Sequence, residues 1–325
     1  MAFGSQIHIY DIIANRFVSN LLGHEGAVSS LAFSPDGRFL AVVADGHLRL
    51  YDPVTLKVLS EPAFTLTNVN GFAFSPDMRL LVGVDMQGCL SVWDVPGQRL
   101  VTNFAAYAFP SYIWGSGFLP GGKSLLTFDE QQIVKEWNTT TWQEMRQWQI
   151  KSNWDMQAFC LSAGLGAMGH IDSGLIDLID IHQSEKSLYF QGEKRLNSLI
   201  FSPDGKTLIA VEERGGLEFW NTRTGARTAR LQTAGLGSHS AAISSDGQRL
   251  AAGGDGQQAV KLWDFISREE LNNLPGKGSY FRHVVFSPDG NTISSRNQTG
   301  EFHFWAAPSW EQIAAAEKSR ATSPP

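Results

Sequence analysis

Several things are scarce in this sequence. Two cysteines, Cys89 and Cys160, are too few in 325 residues for a disulfide framework and lack metal-type spacing, which fits a reducing compartment. Charged residues make up only 18%, against about 25% in an ordinary soluble domain. The formal charge is −6 with no cluster of Lys or Arg, a poor basis for gripping phosphates, so a nucleic-acid partner is not expected. No stretch of 18 apolar residues exists, so no membrane-spanning helix is expected. The first twenty residues have neither a basic start nor a 7–15-residue apolar run, so no secretory signal is expected and the chain is read as cytoplasmic. What is plentiful is glycine, at 32, and tryptophan, at 10. At about 150 residues per domain the length allows two domains, but all-β folds often run longer as one.

An internal repeat decides between these. FSPDG stands at Phe33–Gly37, Phe201–Gly205 and Phe286–Gly290, with variants beginning at Phe74 (FSPDM), Phe118 (FLPGG), Cys160 (CLSAG) and Ile243 (ISSDG). The steps between first positions are 41, 44, 42, 41, 42 and 43 residues. A second signal keeps the same beat: LRLYD ending at Asp52, LSVWD at Asp94, VKEWN at Asn138, IDLID at Asp180, LEFWN at Asn221, VKLWD at Asp264 and FHFWA at Ala306. Two signals held in phase over seven copies are not chance. Each unit reads as four short strands. An alternating stretch such as Val28–Phe33 precedes the Pro and Asp-Gly turn. A second apolar run follows, then a tight turn, then the strand ending at the aromatic, then a weaker fourth strand (Lys57–Ser60, Arg99–Phe104). Four strands every 42 or so residues is the signature of a propeller blade.

At these residues the sequence resembles the WD-repeat β-propeller family, over residues 7–306. The Trp-Asp pair is intact at Trp93-Asp94 and Trp263-Asp264. It is softened to Tyr51-Asp52, Trp137-Asn138 and Trp220-Asn221, and lost at Ile179-Asp180 and Trp305-Ala306. The family's Gly-His pair appears only at Gly23-His24, so its buried Asp–His–Ser–Trp network is complete in no unit. The expected fold is all-β: one seven-bladed propeller of four-stranded antiparallel blades over residues 1–306. Its units run about 23–60, 66–104, 111–148, 154–190, 195–231, 238–272 and 281–306, with 16–21 as a closing N-terminal strand. Arg16–Leu21 is expected beside Glu301–Trp305, covering an edge that carries Phe302 and Phe304. Ile7–Asp11 is an eighth copy of the third strand without a vacancy in that disc: either the end of a longer repeat array or an extra edge strand. In the 307–325 tail, Ser309 and Gln312 fit a capping box, predicting a short helix pinned by Trp310 and Ile313.

Two motifs mislead. Gly117–Ser124 (GFLPGGKS) satisfies the phosphate-loop pattern, but it lies in register with the FSPDG turns and continues as a strand. Gly164–Gly169 (GLGAMG) satisfies the dinucleotide pattern and likewise opens no helix. The eight histidines (8, 24, 47, 170, 182, 239, 283, 303) are scattered, without metal-ligand spacing. No catalytic residue, cofactor or metal site is assigned.

In the family, the loops entering each first strand and the turns between second and third strands line one rim of the disc, the usual binding face. The resemblance therefore implies a rim built from Glu25, Asn68, Tyr112 with Trp114, Trp154, Arg195, His239, and Tyr280 with Arg282. Asp129-Glu130 and Glu212-Glu213 stand at the turns between second and third strands and read as a solvated face. Aromatic and Arg residues are the types that anchor interfaces. The partner-binding residues are therefore expected among Tyr112, Asp129, Glu130, Trp154, Arg195, Glu212, Glu213, Tyr280 and Arg282. Trp114 also suits packing between blades. The function this implies is a non-catalytic scaffold or sensor, monomeric, presenting its rim to a peptide or protein, with neither nucleic acid nor membrane as partner. Two alternatives stand beside it. One is the ligand-sensing module of a larger signalling protein, joined to a kinase or an NTPase. The other is a propeller enzyme with a metal in the central channel, for which the channel-facing strand starts supply mostly apolar residues and Ser.

Overall fold

The computed structural model describes residues 7–11, 16–21, 28–44, 47–53, 55, 57–60, 69–85, 87–108, 111–150, 156–170, 172–182, 186–192, 195–232, 240–254, 258–278, 280–298 and 301–306. Every regular element among them is a strand. The chain opens with β1 (Ile7–Asp11) and β2 (Arg16–Leu21). Blade one is β3 (Val28–Phe33), β4 (Leu40–Ala44), β5 (His47–Tyr51) and β6 (Val58–Ser60). Blade two is β7 (Val69–Phe74), β8 (Leu80–Asp85), β9 (Cys89–Asp94) and β10 (Arg99–Ala105). Blade three is β11 (Ile113–Phe118), β12 (Ser124–Asp129), β13 (Ile133–Asn138) and β14 (Glu144–Gln149). Blade four is β15 (Met156–Cys160), β16 (Leu165–Gly169), β17 (Leu175–Asp180) and β18 (Lys186–Gln191). Blade five is β19 (Leu196–Phe201), β20 (Thr207–Glu212), β21 (Gly216–Asn221) and β22 (Arg227–Gln232). Blade six is β23 (Ser240–Ile243), β24 (Arg249–Gly253), β25 (Gln258–Asp264) and β26 (Glu270–Pro275). Blade seven begins with β27 (Arg282–Phe286), β28 (Thr292–Arg296) and β29 (Phe302–Ala306). The first six are four-stranded antiparallel meanders, so the molecule is a seven-bladed β-propeller. The helix expected in the tail lies outside the described residues.

The packing explains both sequence signals. Second and third strands are buried on both faces, β20 and β21 almost throughout, whereas fourth strands such as β14 and β22 are largely exposed. A strand buried on both faces reads as a continuous apolar run, and each fully buried Leu, Ile or Val contributes about 1.5–3 kcal/mol. The cores lie between blades, not within them. The third-strand tryptophans are wedged against the preceding blade: Trp93 against Val43, Leu48 and Leu50, Trp137 against Val84 and Leu90, Trp220 against Ile176 and Phe190. Trp263 joins the core with Val211 and Leu217, and Trp305 the core with Val260 and Leu274. In blade four Ile179 fills the same place against Leu126 and Phe128, which is why the aromatic was dispensable there.

The FSPDG element is a buttressed turn. In blade one the Ser34 hydroxyl donates to Asp36 Oδ1 at 2.7 Å and accepts from Phe39 N at 2.8 Å, while Arg38 N donates to the same carboxylate at 3.1 Å. The Ser–Asp bond recurs at Ser75–Asp77, Ser202–Asp204, Ser244–Asp246 and Ser287–Asp289, at 2.5–2.7 Å. The glycine completing the turn is left-handed, as at Gly205 with φ +69°, and Met78 holds that conformation at φ +64° in blade two. Neighbouring turns touch. Pro288 of blade seven lies over Gly37 of blade one, its Cδ 4.0 Å from where a Cβ would stand. Where Ser replaces the proline, its hydroxyl reaches the next blade: Ser162 donates to Pro203 O at 3.4 Å and Ser245 donates to Pro288 O.

The N-terminus joins blade seven, but not in the expected register. Ile7–Asp11, not Arg16–Leu21, lies directly beside β29, parallel to it, with Ile7 opposite Phe302 and Asp11 opposite Ala306. Arg16–Leu21 pairs antiparallel with the outer side of β1, giving a five-stranded sheet in the order β2-β1-β29-β28-β27. The vacancy thought to be absent is the one β1 occupies. Its alternating Ile-His-Ile-Tyr pattern suits a sandwiched strand, and β2 becomes the edge.

Candidate functional site

The loops entering the first strands and the turns between second and third strands meet on one rim, where each turn is tied to its loop. Glu130 N donates to Tyr112 O at 2.9 Å, and Glu213 N donates to Arg195 O at 2.7 Å. The last residue of the second strand caps the turn. Asp85 Oδ1 accepts from Gln87 N and Cys89 N at 2.9 and 2.8 Å. Asp129 accepts from Ile133 N at 2.7 Å and from the Ser111 hydroxyl at 2.9 Å; in blade seven the residue just after the strand does the same, Asn297 Oδ1 accepting from Glu301 N at 2.9 Å.

This geometry sorts the expected rim residues by strand alternation. Tyr112 and Tyr280 are about two-fifths exposed, at 40% and 39%, and Glu130, Arg195 and Arg282 are exposed. Arg195 pairs with the half-buried Glu213 at 3.0 Å. Asp129 and Glu212, taken in the sequence as part of a solvated face, are instead buried. Asp129 is consumed by its turn. Glu212 receives two bonds from Arg230, at 2.9 and 2.7 Å. A carboxylate so engaged has little left for a partner. Trp154, Glu25, Asn68 and His239 lie outside the described residues, and so does the side chain of Trp114 in β11. Arg195 and Tyr280 share a left-handed backbone, φ +65° and +55°, one and two residues before their first strands.

A hydrogen-bonded cluster beneath the rim was not legible from motifs. Trp137 Nε1 donates to Thr127 Oγ1 at 2.9 Å, and Tyr107 Oη lies 2.8 Å from the same Thr127 Oγ1 and donates to Thr127 O at 2.9 Å. Burial pushes the Tyr107 phenol well above its ordinary range. Lys135 Nζ bonds Ala106 O at 2.9 Å and stands 4.9 Å over the Tyr107 ring. The only hint was polarity in phase: two residues before each third-strand aromatic, or before Ile179 in its place, stand Arg49, Ser91, Lys135, Asp177, Glu218, Lys261 and His303. Pairs with the fourth strand of the same blade include Asn103–Ser91, Lys135–Glu144, Arg227–Glu218 and Lys261–Glu270.

The two decoy motifs are hairpins. Leu119–Lys123 of the GKS run connects β11 to β12, and the GLGAMG run passes from a turn into β16, so neither offers a helix N-terminus to a phosphate. No three His, Cys, Asp or Glu side chains converge as a metal would require among the described residues. A shallow depression of about 380 Å³ lies against the first turn of blade one, lined by Gly37, Arg38, Phe39, Asp52, Pro53 and Leu59.

Comparison with known proteins agrees with the architecture. The WD domain, G-beta repeat family model matches residues 15–52 and 57–94. The chain is 22% identical to rat (Rattus norvegicus) apoptotic protease-activating factor 1, over 86% of the chain and 29% of that protein. It is 22% identical to protein groucho of Drosophila melanogaster, over 63% of the chain and 28% of that protein. A shorter stretch, 27% of the chain and 10% of the relative, is 36% identical to the periodic tryptophan protein 2 homolog of Neurospora crassa. The chain thus spans less than a third of these curated relatives. Among solved structures, the Cps50 (Swd1) β-propeller domain of Myceliophthora thermophila superposes with a TM-score of 0.73 at 15% identity, covering 88% of this chain and 98% of that one.

Proposed function

We propose that this chain, a seven-bladed propeller carrying WD repeats, is a non-catalytic, cytoplasmic and monomeric interaction module that presents its rim to a peptide or protein. One observation carries this reading. Tyr112, Arg195, Tyr280 and Arg282 are exposed side chains of hot-spot type on loops whose backbone is already held by hydrogen bonds. Two tyrosines and two arginines presented on fixed loops lose little conformational entropy on binding. That the chain is one module of a larger protein is supported by its covering 29% of the rat factor and 28% of groucho. The test is selection of binders from a displayed random-peptide library, followed by titration against Tyr112→Ala and Tyr280→Ala. Each change should weaken selected peptides at least tenfold, since interface hot spots cost about 2 kcal/mol or more. Peptides that ignore both substitutions but respond to changes at Val58 and Leu59, exposed on an outer strand, would move the binding face elsewhere.

A further inference from the structure

Blade seven carries two arginines that no acid among the described residues pairs with. Arg282 opens β27 and Arg296 ends β28, and the two stand directly opposite in the ladder. Like charges facing across a strand pair are destabilising. Neither guanidinium makes an ion pair or hydrogen bond with the described residues, in a chain whose net charge is −6. Elsewhere on this rim Arg195 is matched by Glu213 and Arg230 by Glu212.

The backbone around the pair is specially shaped. The ladder is irregular between Arg282 and Val285, and His283 within that irregularity has a left-handed φ of +55°. Such bulges re-aim side chains, and strain of this kind in a non-glycine residue persists only where the surroundings impose it. The adjoining loops are fastened together: Asn297 Nδ2 donates to Lys277 O at 2.9 Å, and the Ser295 hydroxyl donates to Arg282 O at 2.9 Å. Glu301, across the adjoining turn, is held by that same Asn297 amide at 2.6 Å. His283 keeps an exposed edge, while desolvation of its ring, then Arg296 and Arg282, hold its pKa below the ordinary imidazole value.

We propose that Arg282, Arg296 and His283 form an oxyanion site that receives a phosphate group carried by the peptide partner. Two planar guanidinium forks suit a tetrahedral dianion, and binding it relieves the repulsion that the empty site sustains. This inference rests on the reading of the rim as a peptide-binding face.

The experiment titrates the purified chain with inorganic phosphate and with the peptide acetyl-Ala-Ala-phosphoSer-Ala-Ala-amide, followed by NMR shifts and by melting temperature. Saturable binding is expected for both, about tenfold tighter for the phosphopeptide, with a rise in melting temperature as ligand linkage requires. Arg282→Ala and Arg296→Ala should each weaken both ligands at least about tenfold, and Arg195→Ala neither. Without ligand, the Arg282 and Arg296 variants should melt no lower than wild type, which separates lost binding from lost folding. Phosphate that fails to saturate below about 10 mM, or binds the Arg282 and Arg296 variants as well as wild type, overturns the site. Equal affinity for phosphate and phosphopeptide overturns the peptide as its source. Library peptides that bind the rim without phosphate and ignore Arg282→Ala would remove this proposal and leave the interaction reading standing. A phosphate site alongside indifferent Tyr112 and Tyr280 variants would do the reverse.

Discussion

Arg230 closes on Glu212 through two parallel bonds, Nε to Oε1 at 2.9 Å and Nη2 to Oε2 at 2.7 Å, and so locks the turn between the second and third strands of blade five. The Glu212 side chain is only 5% exposed and that of Arg230 is 41% exposed, so water screens one partner and not the other. Removing the guanidinium strands a buried carboxylate. Arg230→Ala is therefore expected to lower unfolding free energy by about 2 kcal/mol, below the full cost for a wholly buried pair. Arg230→Lys keeps the charge but loses the fork and should fall between. Urea denaturation of the three proteins checks this; equal midpoints would mean that the ion pair is idle in solution.

The neighbouring acids of blade three should behave oppositely. Asp129 is buried and accepts from Ser111 and Ile133, whereas Glu130 is exposed. Asp129→Ala should cost about 1–3 kcal/mol by leaving those donors unmatched. Glu130→Ala should stay within about 0.5 kcal/mol, as surface changes do. Thermal melts of both variants decide it.

Two glycines of the repeated turn separate strain from crowding. Gly205 and Gly247 both have φ +69°. A Cβ on Gly205 would meet Ala163 Cβ at 2.5 Å, whereas on Gly247 it meets nothing within 4 Å. Gly247→Ala should cost about 1–2 kcal/mol, the left-handed penalty alone. Gly205→Ala should cost about 1–3 kcal/mol more from overpacking. A melt in which Gly247→Ala is the worse of the two would contradict the contact between blades four and five.

Acid should attack the same turns. Asp77 and Asp204 have lowered pKa values, first because Ser75 and Ser202 donate to them and then because Arg79 N and Lys206 N do. In Asp36, Asp246 and Asp289 partial burial works the other way and is outweighed by equivalent bonds. A carboxylate whose pKa is lower folded than unfolded takes up its proton first in the unfolded chain. Its stabilisation is thus complete above the unfolded value, about 3.9, and is lost as pH falls through the folded one. Unfolding free energy should begin to decline below about pH 6.5, where His283 resists protonation in the folded chain, and drop further below about pH 4, with a shallower second drop in Asp77→Asn and Asp204→Asn. An identical acid profile in those variants would show that the turns do not drive the loss.

Deleting residues 1–21 removes β1 and β2 and leaves β29, with its buried Phe302, Phe304 and Trp305, as an open edge. Such an edge templates pairing between chains. The truncated protein should melt lower and elute as larger species in size-exclusion chromatography. A monomer of unchanged melting temperature would mean that closure is made elsewhere.

The repeat was legible because a blade cannot bury its faces alone. Seven copies must each present the same turn and the same wedge, so FSPDG and the third-strand aromatic recur in phase, and strand number and order follow from them. The misreadings concern residues whose environment is set by other parts of the chain. Asp129 and Glu130 are adjacent and both acidic, but one faces its turn and the other solvent, a difference set by pleat and by Ser111, eighteen positions away. Ile7–Asp11 and Arg16–Leu21 are both plausible partners for β29 by pattern; pairing across some three hundred residues chose the first. Arg282 and Arg296 look ordinary fourteen positions apart, and only the ladder sets them face to face, with no ion pair among the described residues. Composition and period determine that a propeller forms, because they govern how much apolar surface each unit must hide and how often. Which charges end up paired, buried or left open on the rim is decided by the tertiary structure, because charge interactions fall with distance and the distances arise only when the ring closes.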